Sequence, residues 1–249
     1  MRVLVTFAVE AEFAPWRKLR RFKRSGGRNV SFYEAEFSDR KLEVLLTGIG
    51  RAACERAFAS IGLSQAGEPD FVISSGLAGA LKNGLNPGDL VAAKKARTLC
   101  NDANAEADPA LLEFAVRQGA LPIEALITVD RLVQTANEKA RLAFFGEAVD
   151  MESAIVMTHF AVAKVPVLAV RAISDGPDED LPIDFDRCIT PQGAIKPMSL
   201  VNAIVRRPSR LPNLVRFGQQ SNQAAHKLAV YLDAFVTALP VVQERMTAT

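Results

Sequence analysis

Asp175 is the strongest candidate for a catalytic group, because it ends an apolar run that has no structural need for a carboxylate. Residues 165–173 are almost all Val, Leu, Ala and Ile, interrupted by Arg171, and predict a strand buried on both faces of a sheet. Ligands of α/β proteins bind beyond the carboxyl ends of strands, where Asp175 would stand. The alternative is that Asp175 caps the loop that starts at Gly176 and Pro177. The strand alone does not decide between the two.

A second group of candidates is Asp150, Met151 and Glu152, between a short predicted strand and a helix predicted to begin near Ser153. The carboxylate of Glu152 can accept two hydrogen bonds from vicinal hydroxyls. The flexible, polarizable side chain of Met151 suits packing on the face of a sugar. The structural alternative is an acid at a helix N-terminus beside a core methionine.

Glu12 is a third candidate, because it follows the β-rich run of residues 2–8 almost at once. Together with Glu10 it would lie in the first turn of a helix, where the helix dipole favours negative charge. That dipole explains both glutamates without a function. The position of Glu12 just past the carboxyl end of the first strand favours a role in a site.

Two glycine-containing segments, residues 47–50 and 75–79, also follow predicted strands and are predicted to be turns. Glycine lets the backbone approach a ligand closely, and the helix predicted after Gly50 offers free N–H groups at its start. The first segment lacks the third glycine of a dinucleotide-binding motif, so a plain tight turn remains an alternative there.

Other catalytic classes find little support. The two histidines, His159 and His226, lie in predicted helices away from any partner for a nucleophilic triad. The spacing typical of metal ligands is absent, so no metal is expected. Carboxylates with glycine-rich backbone suit acid–base cleavage of a polyhydroxylated or heterocyclic substrate through a cationic transition state.

Composition predicts one globular domain in a reducing compartment. The chain has 249 residues, of which 49% are hydrophobic and 23% are charged. Its net charge of +2 gives no basic field for nucleic acid. The three cysteines are widely spaced, and no apolar stretch reaches the roughly 18 residues of a membrane span. We therefore expect a cytoplasmic α/β protein, in which strands alternate with helices that cover both faces of the sheet.

The C-terminal part differs in charge from the rest. Residues 175–186 are rich in acids, whereas residues 187–232 contain none and carry seven basic residues. These are Arg187, Lys196, Arg206, Arg207, Arg210, Arg216 and Lys227. We predict a basic helical extension from about residue 188, with helices over residues 198–205 and 211–235. Its basic face is either solvated or directed to a phospholipid surface or another anionic partner.

The candidate segments occur in the order found in the nucleoside phosphorylase/nucleosidase superfamily. They are Glu12, residues 47–50 (Thr-Gly-Ile-Gly), 75–79 (Ser-Gly-Leu-Ala-Gly), 150–153 (Asp-Met-Glu-Ser) and 171–175 (Arg-Ala-Ile-Ser-Asp). Over residues 2–175 the chain resembles the methylthioadenosine/S-adenosylhomocysteine nucleosidases, a well-known group of this superfamily. The resemblance implies a three-layer α/β/α sandwich around a central twisted mixed sheet. It also implies one domain over residues 1–249, a homo-oligomer, and no cofactor, with phosphate as the alternative acceptor.

The resemblance also implies a role for each candidate residue. Asp175 would protonate N7 of an adenosine-type purine, supported by Ser174, and Glu12 would orient the attacking water. An aspartate at this place, rather than an asparagine, fits a 6-aminopurine, whose exocyclic amine it can also meet. The substrate would be held by a further set of residues. These are Met151 and Glu152 at the ribose, with Arg171, Gly79, Ala78 and Gly50.

The chain departs from the family pattern at three places, one of which is the predicted loop over residues 101–108, shorter than the usual substrate-side loop. Leu77 stands where the nucleosidases often have serine, and residues 130–133 (Asp-Arg-Leu-Val) replace a segment that usually supplies a stacking aromatic, so stacking falls to Leu132 or another residue. Residues 75–79, 129–133 and 206–212 look more like the hopanoid-biosynthesis-associated phosphorylase branch. That likeness implies a lipid-linked nucleoside and peripheral contact with membrane lipid.

Three functions therefore remain open. Hydrolysis of an adenosine-type N-glycosidic bond is the leading prediction, because Glu12 favours water. A phosphate-dependent phosphorylase would need a cation for phosphate, which Arg51 beside Gly50 could supply. The departures at Leu77 and residues 130–133 leave a nucleoside-binding protein without catalysis as the third.

Overall fold

The computed structural model describes residues 1–25, 31–37, 40–61, 68–99, 103–188, 190 and 210–239, which form one mixed sheet with helices packed on it. The ten strands occur in the sheet order β10-β6-β8-β9-β5-β1-β4-β3-β2, with β7 paired to β6. In chain order they are β1 (Arg2–Phe7), β2 (Lys23–Arg24), β3 (Ser31–Phe37), β4 (Arg40–Leu46), β5 (Phe71–Ala80), β6 (Leu90–Thr98), β7 (Asn104–Glu106), β8 (Leu121–Thr128), β9 (Ala148–Asp150) and β10 (Val167–Asp175).

Six α-helices and one short 3₁₀-helix, Phe185–Cys188, lie between and after the strands in the described ranges. The α-helices are α1 (Glu10–Leu19), α2 (Arg51–Ile61), α3 (Pro109–Arg117), α4 (Ala136–Leu142), α5 (Ser153–Val162) and α6 (Leu211–Ala238). The predicted α/β fold with a mixed central sheet is confirmed. The predicted loop over residues 101–108 is wrong in part, because β7 pairs there with β6 in antiparallel register.

Part of the sheet closes on itself. Strand β5 pairs with β9 on one side and β10 on the other, and the chain of pairings β9-β8-β6-β10 completes a ring. Closure leaves the strands of the ring without free edges. The strands β1, β4, β5 and β10 are mutually parallel along their shared pairings, so their carboxyl ends lie at the same edge.

Strand β10 is buried at all nine positions, as its apolar sequence predicts. Its partner β5 differs from prediction. The segment 75–79 was expected to be a turn, but β5 continues through Gly76 and Gly79 to Ala80. A strand can include these glycines because β10 lies beside them in register, pairing Arg171 with Gly76 and Asp175 with Gly79.

Helix α6 is the described part of the predicted basic extension, and it packs firmly on the core. Leu228, Leu232 and Phe235 are buried, with exposures of 0% each. Asp233 accepts hydrogen bonds from Trp16 Nε1 (2.9 Å) and Arg20 Nε (2.8 Å), which joins α6 to α1 and the residue after it. The helix predicted over residues 198–205 lies outside the described residues, as do three of the seven basic residues, Lys196, Arg206 and Arg207. None of the described helices is both long and apolar enough to span a membrane.

Candidate active site

A cavity of about 390 Å³ opens where the strands β1, β5, β9 and β10 end. Its wall combines apolar side chains with four carboxyl groups, and among the described residues it includes no lysine, arginine or histidine. The carboxyl groups belong to Glu12, Asp150, Glu152 and Asp175. The apolar part includes Ile49, Leu77, Val129, Leu132, Val133, Met151, Leu181 and Phe217. Such a wall suits a ligand with an apolar body that gains positive charge during reaction.

Asp175 lies at the end of β10 with 5% of its surface exposed. Its Oδ1 accepts a hydrogen bond from the Ser174 hydroxyl (2.5 Å), which lies 3.2 Å from the carbonyl oxygen of Ala78. Its Oδ2 accepts from Lys139 Nζ (2.5 Å). Ser174 therefore contacts Asp175 as predicted and is itself held by Ala78, a predicted substrate-binding residue, whereas Lys139 is not predicted from the sequence.

Glu12 lies in the first turn of α1, and its side chain lines the cavity. Its Oε2 accepts from the backbone N–H groups of Ala8 (3.0 Å) and Val9 (3.3 Å), and its Oε1 accepts from Leu77 N (2.9 Å). Burial raises the pKa of Glu12, although Arg171 and these N–H groups oppose the rise. The backbone at Leu77 thus serves the carboxylate although the family's serine is absent.

Glu152 and Met151 lie on the cavity wall between β9 and α5. Glu152 Oε1 accepts a hydrogen bond from Gly50 N (2.8 Å), which fixes the carboxyl group against the segment that follows β4. Gly50 has a φ of +82°, a conformation that glycine adopts readily. Gly50 is not on the cavity wall itself, but it positions Glu152, which is.

Arg171 lies behind the wall and not on it, with 2% of its surface exposed. Its Nε and Nη2 donate to Asp150 Oδ2 at 2.9 and 2.7 Å. Its Nη2 also donates to the hydroxyl groups of Ser153 (2.9 Å) and Ser74 (3.2 Å). Despite burial, the pKa of Arg171 is raised, with Asp150 as the largest contributor to the rise. Arg171 therefore stays charged and offsets part of the negative charge of the site.

Asp150 connects this cation to the start of α5. Its Oδ1 accepts from Thr128 Oγ1 (2.7 Å) and its Oδ2 from Ser153 N (3.0 Å). Thr128 Oγ1 in turn accepts from Ala154 N (2.9 Å), so the ends of β8 and β9 are bound to the same helix N-terminus. The network fixes the start of α5 next to Glu152, whose carboxyl group is bound by Gly50 N.

Gly76 makes room for two charged groups at once. A Cβ atom at this position would lie 2.7 Å from Arg171 Nη1 and 2.8 Å from Glu12 Oε1, and its φ is +144°. At Gly79 a Cβ atom would lie 3.0 Å from Asp175 Oδ2. The two glycines of β5 thus allow the carboxylates from α1 and β10 to approach the strand between them.

Replacing Gly76 tests this role. Gly76→Ala should lower stability by about 1–3 kcal/mol from backbone strain. It should also displace Glu12 from Leu77 N, and so reduce activity, because Arg171 is held by three side chains and cannot move aside. Urea unfolding and activity assays check both effects. Gly84→Ala is the control, since Gly84 also has positive φ (+99°) but nothing lies within 4 Å of its Cβ position. Equal losses in the two variants would show that the close contacts at Gly76 do not matter.

The pH dependence of stability tests the burial of Glu152. Burial and the nearby charge of Asp150 raise the pKa of Glu152 from 4.5 to about 8, against the opposing effect of Arg171. The folded state therefore binds this proton more tightly than the unfolded chain, and its contribution to stability is lost as the pH rises from 4.5 to about 8. Glu152→Gln removes that dependence. As the pH rises through this window, the wild type should therefore lose stability relative to the variant, by at most about 1.4 kcal/mol per pH unit.

Urea unfolding at several pH values across this window measures the difference. Glu106→Gln, at an exposed position of β7, is the control and should follow the wild type. Parallel stability curves for wild type and Glu152→Gln would contradict the shifted pKa of Glu152.

Two residues of the site are not predicted from the sequence, Lys139 and Phe217. Lys139 lies on α4, and no local pattern marks a lysine whose partner is distant in the chain. Phe217, on the first half of α6, is the cavity's one aromatic residue in the described ranges, and its ring lies 5.5 Å from that of Phe185. It shares the wall with Leu132, the residue first expected to face the base. An aromatic wall residue therefore comes from a different element than the family pattern suggests.

The remaining chemical candidates lie apart from the cavity. His159 stacks on Phe58 at 4.3 Å, and burial lowers its pKa. Arg51 lies near Glu55 (3.7 Å) and Asp130 (4.0 Å), outside the cavity wall. In the described ranges, no three His, Cys, Asp or Glu side chains are grouped so that they could hold a metal ion. Cys54 and Cys188 are free and buried, and Cys100 lies outside the described residues.

Comparison with known proteins agrees with this geometry. The family model described as "Phosphorylase superfamily" matches residues 2–206. A curated 5′-methylthioadenosine/S-adenosylhomocysteine nucleosidase from Glaesserella parasuis is 29% identical over 204 residues, which cover 70% of this chain and 84% of the relative.

Solved structures share the fold at lower identity. A Helicobacter pylori 5′-methylthioadenosine/S-adenosylhomocysteine nucleosidase, crystallised with butyl-thio-DADMe-Immucillin-A, gives a TM-score of 0.73 at 20% identity and covers 96% of this chain and 99% of its own. The futalosine hydrolase of the same organism also gives 0.73 at 20% identity, covering 96% and 98%. These likenesses establish the fold.

Proposed function

The chain belongs to the phosphorylase superfamily, and on that basis we propose that it hydrolyses the N-glycosidic bond of an adenosine-type nucleoside. The predicted class of reaction, cleavage of an N-glycosidic bond, agrees with the nucleosidases among its relatives. The observation that carries the choice of water is the cavity wall, which has four carboxyl groups and, in the described ranges, no basic side chain. A phosphate anion would need cations there, whereas water needs only a base.

The residues divide the reaction into three tasks. Asp175 gives a proton to N7, and the C1′–N9 electron pair passes to the base as that bond breaks. Glu152 and Met151 hold the ribose, whose positive charge is stabilised by the surrounding carboxylates. Glu12 takes a proton from the water whose oxygen bonds to C1′. The raised pKa of Glu12 brings it nearer to neutral pH, which suits a base.

A base-release assay tests the proposal. Purified protein is incubated with adenosine, methylthioadenosine, S-adenosylhomocysteine, inosine and guanosine, with and without inorganic phosphate. We expect adenine from at least one adenosine-type substrate at the same rate in both conditions. Strict dependence on phosphate would replace hydrolysis by phosphorolysis. Tight binding of intact nucleoside without any base release would favour a binding protein that has lost catalysis.

Three further expectations belong to this proposal. The protein acts in the cytoplasm as a homo-oligomer, and the exposed ring pair of Phe144 and Phe145 at the end of α4 supports an interface there. The basic C-terminal segment contacts membrane lipid, as the hopanoid-associated branch implies. Analytical ultracentrifugation tests the homo-oligomer, and a monomer would contradict it. Flotation with anionic vesicles tests the contact with membrane lipid, and absence of vesicle binding would contradict it.

A further inference from the structure

Lys139 is completely buried, with 0% of its surface exposed, next to the residue proposed as the acid. Its ammonium group donates to Asp175 Oδ2 (2.5 Å), Gly176 O (2.7 Å) and Glu179 O (2.8 Å). An ammonium group has three N–H donors, and each finds an acceptor. Burying a charged lysine is unfavourable unless it is paired and hydrogen-bonded in this way.

The contacts of Lys139 join the segment that follows the wall residue Val133 to the segment that follows Asp175. Residues 134–139 and 175–184 are also bound through Leu181 N to Gln134 O (2.8 Å) and Ala136 N to Asp180 Oδ1 (2.8 Å). An anchoring role for Lys139 would explain its two backbone contacts. It would not explain why its third donor meets the catalytic candidate and not a further carbonyl.

We propose that Lys139 is a positioning residue for Asp175: it fixes the carboxyl group toward the cavity and stabilises the carboxylate left when the proton passes to the base. The inference rests on the proposed function. Lys139 and Ser174 each occupy one lone pair of the two carboxylate oxygens, which leaves the others to carry the proton. After base release, Glu12 holds the proton taken from water, and exchange with solvent restores Asp175.

The charges around Asp175 come from several elements. Lys139 on α4 touches it directly, and Arg216 on α6 lies in the small polar recess behind it with Glu179 and Asp180. Asp150, Glu152 and Glu12 share the cavity wall with it. Lys139 is the one cation in direct contact with Asp175 among the described residues, so its removal should affect Asp175 more than the removal of any other cation.

The first test is the pH dependence of kcat/KM in Lys139→Met. Asp175 must carry a proton to act, and Lys139 is the cation that touches it. Lys139→Met should therefore move the alkaline limb of the kcat/KM profile upward by about one pH unit or more. Activity at the optimum should fall by roughly tenfold or more, less than the loss of Asp175 itself. Lys82→Met, which removes an exposed partner of Glu147, is the matched control and should leave the profile unchanged.

The second test is a double-mutant cycle, which remains informative even if Lys139→Met alone is unstable. Removing Lys139 leaves Asp175 buried without its cation, whereas Lys139→Met/Asp175→Asn removes both charges and should regain stability. If Lys139 acts through Asp175, adding Lys139→Met to Asp175→Asn should not reduce the residual base release further. Additive losses together with an unmoved alkaline limb would show a purely structural anchor. Absence of base release in the wild type would refute the proposed function instead.

Discussion

Asp175→Asn lowers base release by at least about two orders of magnitude, the lower end of what general acids contribute. The amide cannot supply the proton at N7, so the purine would have to leave as an anion when the N-glycosidic bond breaks. The substitution keeps the size of the side chain, and Lys139 keeps its two carbonyl partners. Nucleoside binding should therefore weaken much less than turnover. Initial rates of adenine release and the Kd of a non-cleaved analogue measure the two effects.

Asp178→Asn is the matched control for this experiment. Asp178 lies three residues further along on the same loop and is exposed to solvent. Its substitution should leave both turnover and binding unchanged. Near-normal turnover of Asp175→Asn would remove Asp175 from the role of acid, whatever the control shows.

Glu12→Gln should have an effect of comparable size, a loss of about 10²-fold or more in kcat with a small change in KM. The amide oxygen can accept either from Leu77 N or from the Ala8 and Val9 N–H groups but not from both sides, and the amide cannot take a proton from water. Since the pKa of Glu12 is raised by burial, the acidic limb of kcat/KM should lie above 4.5, the ordinary value of a glutamate.

Glu10→Gln is the control within the same helical turn. Glu10 accepts a hydrogen bond from Tyr33 Oη (3.2 Å) and pairs with Arg17 (2.9 Å), outside the cavity wall. The two variants separate a general effect of acids at a helix N-terminus from a catalytic effect. If both variants retain activity, Glu12 is only a helix-capping residue and the base must be sought elsewhere.

The sequence could predict the site where the chemistry coincides with the end of a strand. Asp175 follows a strand buried at every position, and Glu12 and Glu152 follow β1 and β9 by a few residues. Since β1 and β10 are both parallel to β5, they end at one edge and bring Asp175 and Glu12 together, whereas Glu152 arrives from β9, which is antiparallel to β5. The helix dipole alone also accounts for acids at these positions. The hydrogen bonds of Glu12 with Leu77 N and of Glu152 with Gly50 N distinguish the two residues from acids that only stabilise a helix N-terminus.

What the sequence could not predict depends on pairings between distant segments. The glycines of residues 75–79 predict a turn. Glycine is needed there for another reason, which is the space taken by the side chains of Arg171 and Glu12 beside Gly76, and both side chains belong to other elements. Lys139 is 36 residues from Asp175, and helical periodicity marks a lysine as exposed unless its partner is known. Phe217 reaches the cavity from α6, beyond the part of the chain that carries the family motifs.

The origin of the oxygen on the released sugar tests the central claim most directly. The purified protein is incubated with its best adenosine-type substrate in water enriched in heavy oxygen, with inorganic phosphate present in excess. Hydrolysis at this site predicts free adenine and a free sugar whose anomeric oxygen carries the label, as detected by mass spectrometry. Formation of an unlabelled sugar 1-phosphate would contradict it.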